Sequence, residues 1–178
     1  MKRVNAWNTY DPGMLKSCMD LADDYKDFLD HGKTERECID RFVNEAEKNG
    51  YVELSEVIRK GKKLSEGDRV YSVWMNKSMV LFEIGSEPLE SGLNILGAHI
   101  DSPRLDIKQN PLYEAEELGY LNTHYYGGIK KYQWTAIPLS LHGTVVKLDG
   151  TKVDICWGDS EDESCFCVTD LLPHLAQE

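Results

Sequence analysis

The chain has 178 residues, 41% of them hydrophobic, enough for one ordinary domain or for a domain and part of another. A formal charge of −11, from 31 acidic against 20 basic residues, leaves little basic surface for a phosphate backbone and argues against a nucleic-acid partner. No apolar run reaches the length of a membrane span, and the N-terminal MKRVNAWNTYDPG carries basic residues with no apolar segment behind them; neither a membrane association nor a secretory signal is expected, which places the chain in the cytoplasm.

From the N-terminus, Leu15, Met19, Ala22 and Leu29 recur at near-helical spacing among charges and predict an amphipathic helix over residues 14–31. A second helix follows from Thr34-Glu35-Arg36-Glu37, which has the form of a capping box. Ile39, Phe42, Val43 and Ala46 supply its apolar stripe, and Asn49-Gly50 supplies its stop. After Gly67 the chain turns β-branched and aromatic. Arg69 to Met75 and Ser78 to Ile84 flank Asn76-Lys77 and predict a hairpin, and Ser86 to Gly92 is a loop before an apolar strand, Leu93 to Leu96, that ends at His99.

Beyond Pro103 the helical period fades. Ala136 to Leu148 and Lys152 to Trp157 surround Asp149-Gly150, a strong hairpin signal, and Cys165 to Leu171 has the character of a further strand. The first hundred residues are thus mixed α and β and the remainder mostly β, with the change near Arg104 and no flexible linker to mark it. A domain inserted into another has this form. The closing PHLAQE begins an apolar pattern rather than ending one, which suggests a piece of a longer protein.

Five cysteines, an odd number, point to reduced thiols rather than a disulfide framework. Cys165 and Cys167 are too close for a zinc-ribbon or redox pair and fit one face of a strand. The acidic run Asp159 to Ser164 lacks the glycine and terminal glutamate of a calcium loop and reads as a solvated loop.

The phrase that carries chemistry is GAHIDSPRLDIK, residues 97–108. On extended backbone His99 and Asp101 point to the same side. The imidazole suits zinc, and a carboxylate can accept its other N–H and fix the ring. The position, at the carboxyl end of a predicted strand, is where open α/β sheets build sites. His-x-Asp followed by Ser-Pro is also what an ordinary strand-to-turn transition uses. Among the other histidines, His31 falls at a helix end, where a cation is favoured, and His124 and His142 read as structural.

The whole phrase resembles the AH-x-DSP-x-L-x-x-K signature of the aspartyl aminopeptidase and vacuolar aminopeptidase I family, metallopeptidase family eighteen. Lys33 to Glu37 is similar to that family's KTERE helix start, Tyr125 to Trp134 to its YGGI-x-x-x-x-W segment, and Asp170 to Leu175 to its L-x-PHL segment, all in the family's order. The resemblance implies an α/β zinc-exopeptidase domain over residues 1–104, interrupted by a β-rich dimerisation domain of which residues 105–178 are part. It implies His99 as a ligand of one of two zincs in the active site and Asp101 as the catalytic carboxylate that orients it. His174 is implied either as a further metal ligand or as a contribution to a neighbouring subunit's site. It further implies peptide substrates, a water activated by the metal pair with a glutamate as general base, and a homo-oligomer built from dimers. The remaining ligands and the glutamate lie past residue 178 in the family, so this stretch alone is expected to be inactive. The competing expectation is a non-enzymatic oligomerisation or interaction module in which the His-x-Asp is vestigial.

Overall fold

The computed structural model describes residues 3–171. Asp11 and Pro12 start the first long helix, α1 (Pro12–His31): the Asp11 carboxylate accepts the Met14 amide at 2.9 Å, and Pro12 sits at the helix start, where a missing N–H leaves nothing unsatisfied. Its inner side is made by Leu15, Cys18, Ala22 and Phe28, all half-buried. Met19 and Leu29, expected on that side, remain 61% and 46% exposed. The ring of Phe28 instead stacks on Phe42 of the next helix, with centroids 5.1 Å apart.

That helix, α2 (Glu35–Lys48), begins as the sequence predicts. The Thr34 hydroxyl accepts the Glu37 amide at 3.3 Å while the Glu37 carboxylate accepts the Thr34 amide at 2.8 Å. It ends where Gly50, at φ +82°, reverses the chain so that the Tyr51 amide donates to Ala46 at 3.0 Å. A short strand, β1 (Val52–Glu53), and one and a half turns of helix, α3 (Leu54–Arg59), lead to the hairpin of β2 (Arg69–Trp74) and β3 (Ser78–Glu83). The sheet order is β1-β2-β3, with β1 parallel to β2 and β2 antiparallel to β3. Among the described residues the buried side chains are Cys38, Ile39, Ala46, Val57, Val70 and Tyr71, contributed by α2, α3 and β2. Ile39, 1% exposed, is the centre of this core; burial of a side chain of that size stabilises by about 1.5–3 kcal/mol.

The apolar run Leu93 to Leu96 corrects the expectation of a strand. Residues 92–103 carry no regular structure, and Ile95 and Leu96 are 83% and 100% exposed. β-branched and apolar character suits a strand only where a neighbouring edge can take its N–H and C=O groups, and no described strand pairs with this run.

The chain divides into two compact units between Ile100 and Asp101. The described part of the second unit has strands and a single turn of 3-10 helix and no fully buried side chain. Its longest element is the antiparallel pair β4 (Arg104–Ala115) and β5 (Leu118–Tyr126), with a register shift between Ile107 and Leu112. A second pair joins β6 (Leu141–Val146) and β7 (Lys152–Trp157) around Asp149-Gly150, as predicted, although β6 starts five residues later than the sequence suggested. Pro138, with no N–H to donate, and Ala136 at φ +60° keep the preceding residues out of the ladder. The strand expected from Cys165 reduces to two isolated bridges, Leu139 to Phe166 and Thr135 to Val168. Among the described residues no helix is long and apolar enough to cross a membrane.

Candidate metal half-site at residues 97–108

The division of the chain runs through the phrase that carries the chemistry. His99 belongs to the last residues of the first unit and is exposed, outside any helix or strand. Asp101 opens the second unit and is half-buried.

Asp101 is held from the end of the long hairpin. Its Oδ2 accepts the Tyr126 hydroxyl at 3.0 Å. Tyr126 closes β5 directly opposite Arg104, the first residue of β4. The Arg104 guanidinium lies 4.2 Å over the Tyr126 ring, and its Nε donates to Asp106 Oδ1 at 2.8 Å. Gly127 then leaves the strand at φ +72°, where an L side chain would be strained, with the position of a missing Cβ in ordinary contact with Pro103 at 3.5 Å. The hairpin therefore zips two segments that lie 25 residues apart in sequence, DSPR and YYGG, onto one end. Sequence reasoning quoted both segments but missed their junction. The signal was available in the strand-like composition of Leu118 to Tyr126, with Tyr120, Thr123, Tyr125 and Tyr126, read backwards against Arg104 to Ala115.

The remaining histidines divide clearly. His31, at the end of α1, places Nδ1 2.8 Å from the Asp27 carbonyl and 3.3 Å from its carboxylate. His124 stacks on Tyr125. His142, read as structural from sequence, lies with Cys156 and Asp159 in the one group of three or more His, Cys, Asp or Glu donors within 4.8 Å of one another among the described residues. His174 lies outside the described residues. His99 offers an imidazole and Asp101 a carboxylate, each of a kind that fits zinc, and two donors are fewer than the three or four protein ligands a zinc site uses.

Residues 28–178 match the model of the aminopeptidase I zinc metalloprotease (M18) family. The chain belongs to this family. A probable M18 family aminopeptidase 1 of Clostridium acetobutylicum is 52% identical over 174 residues, which is 98% of this chain and 37% of the relative. Among solved structures, aminopeptidase I from Borrelia burgdorferi superposes with a TM-score of 0.88 at 37% identity, covering 96% of this chain and 41% of its own. The M18 aminopeptidase of Thermotoga maritima gives 0.84 at 38% identity over the whole chain and 38% of its own. The chain thus spans about two fifths of the length of the M18 relatives it matches, and its α/β architecture is theirs.

Proposed function

We propose that this M18 chain is part of a zinc-dependent aminopeptidase, a hydrolase that removes N-terminal residues from peptides, and that residues 97–108 contribute half of its metal site. The observation that carries the reading is the His99-Ile100-Asp101 phrase inside the M18 match, with the Asp101 carboxylate held at 3.0 Å by Tyr126. His99 offers an imidazole nitrogen to one of two zincs, and Asp101 fixes the orientation of the ligand set, as carboxylates beside metal-bound histidines do. When bound, zinc supplies a Lewis acid for the scissile carbonyl and a water acidified towards neutral pH. The ligands still needed come from the part of the M18 relatives that this chain does not span. On this reading residues 1–104 belong to the catalytic α/β domain and residues 105–178 to the inserted dimerisation domain. His174 is a further ligand or reaches a neighbouring subunit's site, and the enzyme assembles as a homo-oligomer built from dimers. Five free cysteines accord with a cytoplasmic setting.

The test is a chimera in which this chain replaces the matching stretch of the Clostridium acetobutylicum relative. The chimera is expected to hydrolyse aminoacyl-anilide substrates in a zinc-dependent manner. His99→Ala should remove zinc and activity together, and Asp101→Asn should lower activity or zinc affinity by about 10- to 100-fold. Full activity in His99→Ala would contradict the reading, and a chimera that assembles without zinc or activity would favour an oligomerisation module instead.

A further inference from the structure

His142, Cys156 and Asp159 bring an imidazole, a thiol and a carboxylate together in the second unit, away from the phrase at residues 97–108. His142 on β6 and Cys156 on β7 are direct cross-strand partners, so both side chains leave the same face of the hairpin. Gly158, at φ +92° and with Ser164 and Leu139 carbonyl oxygens 3.3 and 3.4 Å from where a Cβ would stand, turns the chain immediately after β7. The Glu163 carboxylate fixes that turn by accepting the Gly158 amide at 2.8 Å. Asp159 is thereby returned over the hairpin, with Oδ1 3.2 Å from His142 Nε2 and Oδ2 3.2 Å from Cys156 Sγ. Ser140 Oγ lies 3.0 Å from the same Nε2. The His142 side chain is only 8% exposed, whereas that of Asp159 is 39% exposed, so the group opens to solvent on the carboxylate side.

We propose that His142, Cys156 and Asp159 form a binding site for a divalent transition metal of the zinc class. Nitrogen, sulfur and oxygen donors at these separations suit the edges of a tetrahedron, with Ser140 Oγ or a water in the fourth position. The Asp159 carboxyl, like any ordinary carboxyl, is ionised at neutral pH and can ligate without losing a proton. Binding releases the Cys156 thiol proton to solvent, while His142 ligates through Nε2 as the neutral Nδ1–H tautomer, so a neutral ring carrying its proton on Nε2 shifts it to Nδ1 and only an imidazolium releases one to solvent, without any redox step. The benefit is structural: the described part of this unit has no fully buried side chain, and a metal tying β6, β7 and the following turn supplies a link that packing does not.

The inference is independent of the aminopeptidase reading, and the experiment keeps them apart. Zinc uptake and cobalt(II) absorption are measured on the chain carrying His99→Ala and His174→Ala, which removes both imidazoles of the proposed aminopeptidase site. One equivalent of zinc, a thiolate-to-cobalt charge-transfer band and a metal-dependent rise in Tm are expected. Cys156→Ser should abolish the band, and Asp159→Asn should weaken binding at least about tenfold. A Cys165→Ser/Cys167→Ser double variant should leave all three signals in place. Cys156 and Asp159 are both exposed, so these variants leave the fold intact, and His142→Ala serves as a third check. No uptake, or uptake that Cys156→Ser and Asp159→Asn leave unchanged, would overturn the site and reduce the group to a hydrogen-bonded cluster.

Discussion

Tyr71 shows how one residue ties the core of the first unit to its surface. Its ring is 5% exposed within β2, while its hydroxyl donates to Glu47 on α2 at 2.8 Å. Burial, followed by the nearby Glu47 carboxylate, pushes the phenol up to about 12. A group whose pKa is higher folded than unfolded holds its protons better in the native state, so its contribution is complete below the unfolded value near 10 and falls as pH rises to about 12. Tyr71→Phe should therefore cost about 1 kcal/mol at neutral pH and flatten the loss of stability between pH 10 and 12, read from denaturation midpoints across that range. At this scale the sequence was legible where residue type alone decides. His99 and Asp101 were singled out because an imidazole and a carboxylate two residues apart can face one point, but the spacing alone is also that of an ordinary turn, and the longer phrase around them carried the reading. Tyr126, which holds Asp101, and the meeting of His142 with Cys156 were missed, because both depend on strand register. Counting outward from Asp149 would have placed His142 and Cys156 opposite each other, since they are equidistant from it.

At the scale of the element, local chemistry predicted what local chemistry controls. The Thr34 capping box and the Asn49-Gly50 stop bound α2 as expected, and the β2–β3 hairpin turns where the polar pair interrupts the apolar runs. The longest hairpin, β4–β5, escaped because its turn has no Gly or Asn. Glu116 and Glu117 both take positive φ, 52° and 62°, in the tight two-residue connection between Ala115 and Leu118. Met75, at φ +53° and 74% exposed, does the same between β2 and β3. Left-handed backbone costs an L-residue about 1–2 kcal/mol and costs Asn and Gly less. Replacing Glu116-Glu117 with Asn-Gly should therefore raise stability by about 1 kcal/mol or more. Thermal denaturation checks this; an unchanged or lower midpoint would show that the glutamates make compensating contacts. The apolar run at residues 93–96 failed as a strand for the opposite reason: its composition was right, but strand formation is a property of a pair.

At the scale of the whole molecule, large apolar side chains among the described residues stay open to solvent, with Leu93, Ile95 and Leu96 at 59%, 83% and 100% exposure, and two-stranded hairpins of the kind that make up the described part of the second unit are marginal in isolation. These features and the two-fifths coverage of the M18 relatives accord with the proposal that the chain acts as part of a larger aminopeptidase, in which this open surface would be covered. The most direct test is complementation: this chain is mixed with the separately expressed remainder of the Clostridium acetobutylicum relative, and zinc-dependent release of N-terminal residues from peptides is followed. The account predicts no hydrolysis by the chain alone and hydrolysis on mixing that is lost with His99→Ala. Hydrolysis by the chain alone, or by the mixture irrespective of His99, would contradict it.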